Sequence, residues 1–319
     1  MKGGKDYRRY LDPKVLARIS TLELRARLAV EGFFRGMHRG PFHGLSVEFV
    51  DHRAYTQGDD IRHVDWKLYG RTDKYFIRQY EEETNLTCTL LVDCSQSMSY
   101  KSPDAIMSKL EYAKSVAASL AYLALRQQDS VGLALFDEKI TRFVRASNHP
   151  SHWKVLIDEL SLPAADSDRA KTDLRAVLGD LAERLGRRTL VILISDLFDD
   201  PMNTLAGLKH LRYRNNELIV FNVWDPAELH FKWVGPTLFD GLESTGRLMV
   251  DPTAGGGLRA RYLEEVERFG KVLRAGCRQM QIDFVRYDTS TALDVAISAY
   301  LATRSARVRH RTSRVLGAG

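Results

Sequence analysis

Cysteine is scarce. Cys88, Cys94 and Cys277 are the only three in 319 residues, an odd set with no CxxC pair, which argues against a disulfide framework and a cysteine-built zinc site. All three are expected to remain reduced thiols. No apolar run approaches the ~20 residues that a helix needs to cross a bilayer. The opening Met1-Lys2-Gly3-Gly4-Lys5-Asp6 also lacks the apolar centre of a secretion signal, so a cytoplasmic location is the expectation. Neither GxGxxG nor GxxxxGK[ST] occurs, and dinucleotide or P-loop nucleotide binding would lack its usual phosphate cradle. A strong excess of one charge is missing too. The 47 Lys and Arg stand against 41 Asp and Glu for a net charge of +6, with acidic clusters such as Glu81-Glu82-Glu83 among the basic ones. That balance, with no recognised RNA- or DNA-binding signature, argues against specific nucleic-acid binding.

What is present suits a folded α/β chain. A hydrophobic share of 44% with 28% charged residues is a globular balance, and the length allows one large domain plus an extra segment. From Pro13 to about Met37, Val15, Leu16, Ile19, Leu22, Leu28 and Ala29 recur at near-helical spacing between arginines, predicting an amphipathic helix. Packing on the main domain is the expected use of its apolar face, and an anionic membrane surface is the alternative. Residues 40–83 carry short alternating stretches, Ser46 to Val50 and Tyr75 to Tyr80, that predict a small β-rich lead-in.

The continuous apolar run Leu86 to Val92 changes the character of the chain, as a strand buried on both faces of a parallel sheet would. After it the pattern predicts a helix over Lys109 to Arg126, then strands Val131 to Phe136 and Lys139 to Val144 joined as a hairpin across Asp137-Glu138. Helices at Asp173 to Leu185 and Leu205 to Tyr213 alternate with strands Thr189 to Ile194 and Leu218 to Trp224. A helix (Arg259 to Ala275), a strand (Ile282 to Tyr287) and a helix (Leu293 to Arg304) complete a doubly wound, mostly parallel α/β sheet with one antiparallel edge hairpin. The implied organisation is a lead-in over 1–84, the α/β domain over 85–304, and a basic tail over 305–319 that is expected to be mobile.

The chemistry gathers where buried strands end. Asp93-Cys94-Ser95-Gln96-Ser97-Met98 places an acid and two alternate hydroxyls in a loop at a carboxyl strand end, the ligand crevice of open α/β sheets. Mg²⁺ takes oxygen ligands in octahedral array and keeps several waters, so one or two carboxylates with neutral hydroxyls are a sensible donor set. Thr172 before the Asp173 helix and Asp196 after the strand ending at Ile194 should reach the same edge. Each has an ordinary reading: Thr172 as a helix cap, Asp196 as a turn residue, the serines as partners of loop backbone. Together, Asp93, Ser95, Ser97, Thr172 and Asp196 favour a Mg²⁺ site, with Mn²⁺ an alternative occupant. Few negative ligands would leave the ion electrophilic toward an incoming carboxylate. A phosphoryl-transfer enzyme using Asp93 as nucleophile is the alternative, although Ser95 stands where a second aspartate would be usual. His149 and His152 have no paired acid or third ligand and receive no role.

Asp93-x-Ser95-x-Ser97 with Thr172 and Asp196 resembles the metal-ion-dependent adhesion site of von Willebrand factor A domains. The resemblance implies that the serines touch the metal, that the acids and threonine contribute directly or through water, and that a partner's acidic side chain completes the shell. Lys171 departs from the glycine often found there in related bacterial sequences. A second resemblance rests on Tyr55-Thr56-Gln57-Gly58-Asp59-Asp60-Ile61-Arg62-His63-Val64-Asp65-Trp66-Lys67, Arg71-Thr72, Val250-Asp251-Pro252 and Ala299 to Arg304. These are similar to the bacterial family catalogued as domain of unknown function 58, whose members are often associated with MoxR-type AAA+ ATPases. The implied role is a metal-dependent adaptor or protein-binding module with no catalytic residues of its own. Without the family, the charges from Asp59 to Arg71 around Trp66 read either as an interaction face or as an internal salt-bridge network.

Overall fold

The computed structural model describes residues 21–37, 52–56, 64, 66–78, 86–163, 173–186, 188–233, 235–240, 246–251, 257–295 and 297–301. The expected strand at 46–50, most of the Asp59 to Arg71 cluster and the 305–319 tail lie outside these residues. The chain forms two compact units, one of residues 36–85 and one that joins the segment up to Arg35 with everything from Leu86 onward. The first helix, α1 (Leu22–Met37), therefore begins in the sheet-bearing unit. Its Ala26, Ala29, Val30 and Phe33 are buried at the spacing of one helical face.

In the smaller unit, strand β1 (His52–Ala54), helix α2 (Trp66–Thr72) and strand β2 (Phe76–Arg78) are short. β1 and β2 pair antiparallel with Arg53 opposite Ile77. Tyr69 stacks on Tyr75 at 4.5 Å between ring centroids, and Tyr55 tilts against the same Tyr75 ring. Trp66 meets the edge of Tyr69 and is otherwise exposed.

The larger unit is built on strand β3 (Thr87–Asp93), helix α3 (Lys109–Arg126), strands β4 (Ser130–Phe136) and β5 (Ile140–Ser147), and helices α4 (His152–Ser161) and α5 (Leu174–Arg184). It continues through β6 (Leu190–Ser195), α6 (Pro201–Tyr213), β7 (Glu217–Trp224), the short α7 (Pro226–His230), the hairpin β8 (Thr237–Asp240) and β9 (Arg247–Val250), α8 (Leu258–Gln279) and β10 (Asp283–Asp288). Six strands lie in the order β10-β7-β6-β3-β4-β5. All neighbours are parallel except β4 and β5. This is the mostly parallel, doubly wound α/β sheet with one antiparallel edge expected of a von Willebrand factor A-like fold.

The apolar runs have the burial of interior strands. Leu90, Leu91 and Val92 of β3 and Leu190 to Ile194 of β6 are almost wholly out of water, each large side chain contributing roughly 1.5–3 kcal/mol. One core gathers Leu91, Leu193 and Val220 from the sheet with Leu178 and Leu181 of α5, Leu208 and Leu211 of α6, and Leu273 of α8. α3 is buried along Val116, Leu120 and Leu123. It meets α1 through a hydrogen bond that Arg25 Nη1 donates to Ser115 Oγ (3.2 Å) and through Arg27 over the Tyr122 ring. The apolar face of α1 is thus spent on packing.

α4 and the β8–β9 hairpin were not anticipated. α4 buries Trp153, Leu156, Ile157 and Leu160, and the Nε2–H of buried His152 donates to the Val131 carbonyl (2.8 Å), giving that histidine a structural role. Among the described residues no helix is long and apolar enough to cross a membrane.

Candidate functional site

The chain runs from β3 to β4 on one side of the sheet and returns to β6 on the other. β3 and β6 are therefore the strands whose carboxyl ends diverge into loops of opposite direction, where a crevice opens. Asp93 ends β3 and Ser195 ends β6, so parallel pairing carries both loops to one edge.

Local geometry then fixes each side chain. The Ser95 amide donates to Asp93 Oδ1 (2.9 Å), and the Cys94 amide donates to the Phe136 carbonyl (2.7 Å), anchoring the loop to β4. One turn of 3₁₀ helix, Gln96–Ser99, follows, and the Ser95 and Ser97 hydroxyls come to 3.0 Å from each other. Across the crevice Ser195 Oγ donates to Asp93 Oδ2 and accepts the Leu197 amide (2.9 Å). Leu197 has φ +60°, a left-handed conformation that a branched side chain adopts at a cost. The Phe198 amide donates to Asp196 Oδ1 (3.2 Å), while Asn222 Nδ2 donates to the Asp196 carbonyl (2.8 Å). The result is a shallow depression lined by Asp93, Ser95, Ser97, Asp196 and Asp199, with Leu174 and Phe198 at its sides.

Four of the five sequence-derived site residues meet there. Thr172 lies outside the described residues, and Leu174 marks where the following helix reaches the rim. Asp93, Ser95 and Asp196 are each at most 4% exposed, so they are built in. Burial, then the neighbouring Asp196 carboxylate, pushes the Asp93 carboxyl up to about 7, against the opposing hydrogen bonds from Ser195 and Ser95.

Three contributors escaped the sequence reading. Lys109, the first residue of α3, is fully buried, and its Nζ donates to Asp196 Oδ2 (2.9 Å) and Glu228 Oε1 (2.8 Å). Its ammonium also lies 4.5 Å from the centre of the Phe198 ring. A lysine opening an amphipathic helix ordinarily reads as solvent-facing, and no local pattern flags it. Glu228 closes a capping box with Asp225 at the start of α7, a signature legible as Asp225-Pro226-Ala227-Glu228. Ser195 stands beside Asp196, and a serine at the end of a strand carries no local signal of its own.

The donor set suits a small oxygen-loving cation. Among the described residues the buried Asp93 carboxylate meets only hydroxyl and amide donors, and the two serine hydroxyls turn toward each other beside it. Asp196 is different, because Lys109 already balances it. Among the described residues no group of three or more His, Cys, Asp or Glu side chains is placed to hold a metal ion, so hydroxyl oxygens would have to complete the donor set here.

Residues 51–271 match the family model described as Protein of unknown function DUF58. The uncharacterized protein Rv1480 of Mycobacterium tuberculosis strain H37Rv is 27% identical over 243 residues, covering 76% of this chain and 75% of that one. Uncharacterized protein Mb1516 of Mycobacterium bovis aligns to the same extent. Similar solved structures include the conserved hypothetical protein BatB of Bacteroides thetaiotaomicron, at 18% identity and TM-score 0.44 over 70% of this chain and 100% of that one. They also include the SpRpn10 VWA domain, at 12% identity and TM-score 0.38 over 67% and 94%. With its model matched over more than two hundred consecutive residues, the chain belongs to the DUF58 family.

Proposed function

We propose that this protein is a cytoplasmic, metal-dependent binding module that presents Mg²⁺ to a carboxylate on a partner protein. The observation that carries the reading is Asp93, a buried carboxylate without a cationic partner among the described residues, set beside two paired serine hydroxyls at the sheet's ligand crevice. Asp93, Ser95 and Ser97 would hold the ion, with Asp196 and Thr172 contributing directly or through water. Bound there, the ion supplies a Lewis-acidic position open to an acidic side chain.

The protein's own residues orient that position and limit its charge. Ser195 and the Ser95 amide point the Asp93 oxygens. Lys109 offsets Asp196, so the ion meets little net negative charge from the chain. Mn²⁺ has the same preference for oxygen and would substitute. Use of Asp93 as a phosphoryl-accepting nucleophile has less support, since Ser95 stands where the second aspartate of such a site would be usual.

The resemblance to proteins associated with MoxR-type AAA+ ATPases makes such an ATPase, or its client, the partner to test. Purified protein and ATPase should associate in Mg²⁺ and separate in chelator. Asp93→Ala should lose the Mg²⁺-dependent part while its circular dichroism stays native. Equal association by the folded variant would overturn the reading.

A further inference from the structure

Lys109 sits where an ordinary lysine is disfavoured twice over. It is fully buried, and a buried ammonium forfeits hydration that a methionine of similar length would not need. It also opens α3, where the positive pole of the helix repels cations. Its two hydrogen bonds explain how it is tolerated but not what it secures. Those bonds join Asp196, on the β6–α6 loop of the crevice, to Glu228, in the capping box of α7. Glu228 is itself pinned, with its other oxygen accepting the Asp225 amide (2.9 Å). Asp225 accepts the Ser102 amide (2.9 Å) from the segment leading into α3. The ammonium is therefore held from a fixed base, and Asp196 is held by the ammonium.

We propose that Lys109 is a positioning residue that keeps the Asp196 carboxylate out of the bound cation's inner coordination sphere. Asp93 is then the one carboxylate of this pair that touches the ion, and Asp196 acts through water. This rests on the cation site proposed above and specifies how its low charge is maintained. Both carboxylates accept hydrogen bonds at each oxygen, but only Asp196 is ion-paired, and turning it toward Asp93 would separate its Oδ2 from the buried Lys109 ammonium. A cation with a single inner carboxylate keeps more water and more affinity for a carboxylate arriving from outside.

The test uses Mn²⁺ as the probe, with affinity read by calorimetry and bound water counted by pulsed electron paramagnetic resonance on the full chain. In folded Lys109→Met, Asp196 is freed to coordinate. Affinity should rise on the order of tenfold as the ammonium's repulsion is lost, and the ion should hold fewer waters than in the wild type. Tighter binding with unchanged hydration would show repulsion alone and overturn the positioning role, as would unchanged or weaker binding. Should Lys109→Met not fold, Asp93→Asn and Asp196→Asn decide the matter. The first should abolish binding, while the second should weaken it by no more than about tenfold, as expected of a contact through water. Equal loss in both would overturn the proposal. A wild type that binds no Mn²⁺ would instead remove the cation site on which it rests.

Discussion

At the scale of single residues, the site is governed by one carboxyl group. Asp93 is held to about 7 by burial and by the Asp196 charge, so a cation binding as proposed would have to displace a proton from it near neutrality. Mg²⁺ affinity should therefore fall as pH drops below about 7 and level off above it, as titrations across the range would show; a flat profile would mean that Asp93 does not bind the ion. Ser195 tunes this behaviour, since its hydroxyl favours the ionised form. Ser195→Ala should raise the Asp93 carboxyl further, weakening Mg²⁺ binding at pH 7 and restoring most of it at pH 8.5. Equal weakening at both pH values would assign Ser195 to structure alone. The first of these residues was legible because an acid and alternate hydroxyls follow a buried strand. Lys109 and Glu228 were not, because their roles arise from contacts across 119 residues of chain.

At the scale of elements, caps and close approaches set what the helices tolerate. Asp200 accepts the Met202 and Asn203 amides at the start of α6 with Pro201 in the first turn. Asp200→Ala should lower stability by about 1 kcal/mol in denaturant unfolding, and an unchanged midpoint would deny the cap any weight. Gly207 lies where α6 crosses α5: a Cβ there would come within 2.8 Å of the Leu178 side chain and 3.2 Å of the Arg175 backbone. Gly207→Val should force the helices apart and cost roughly 1–3 kcal/mol, where a tolerated substitution would show that the pair can shift freely. Strands were read well because Leu90 to Val92 and Leu190 to Ile194 are apolar on both faces, as interior strands are. The helix starting at Leu205 was expected one turn late, since Pro201 and its cap precede the apolar periodicity. α4 carries Trp153, Leu156, Ile157 and Leu160 at helical spacing, but at ten residues it is too short for that period to stand out from a loop. The β8–β9 hairpin keeps Leu238 and Met249 outward, so no buried alternation marked it.

At the scale of the whole molecule, the site exists because the sheet reverses its winding between β3 and β6. That order follows from alternating strands and helices in the sequence, while which loops become neighbours is decided only when the strands pair. Long-range ties hold the frame: Asp129 accepts the Leu86 amide at the start of β3 and the Tyr300 hydroxyl from the last described segment (3.0 Å). On the proposed reading, this frame exists to hold a cation between Asp93, Ser95 and Ser97. Calorimetric titration of Mg²⁺ into the wild type and into a folded Ser95→Ala/Ser97→Ala variant tests it most directly. Saturable binding by the wild type that is lost in the variant is the expected result, and equal heats from both proteins would contradict it.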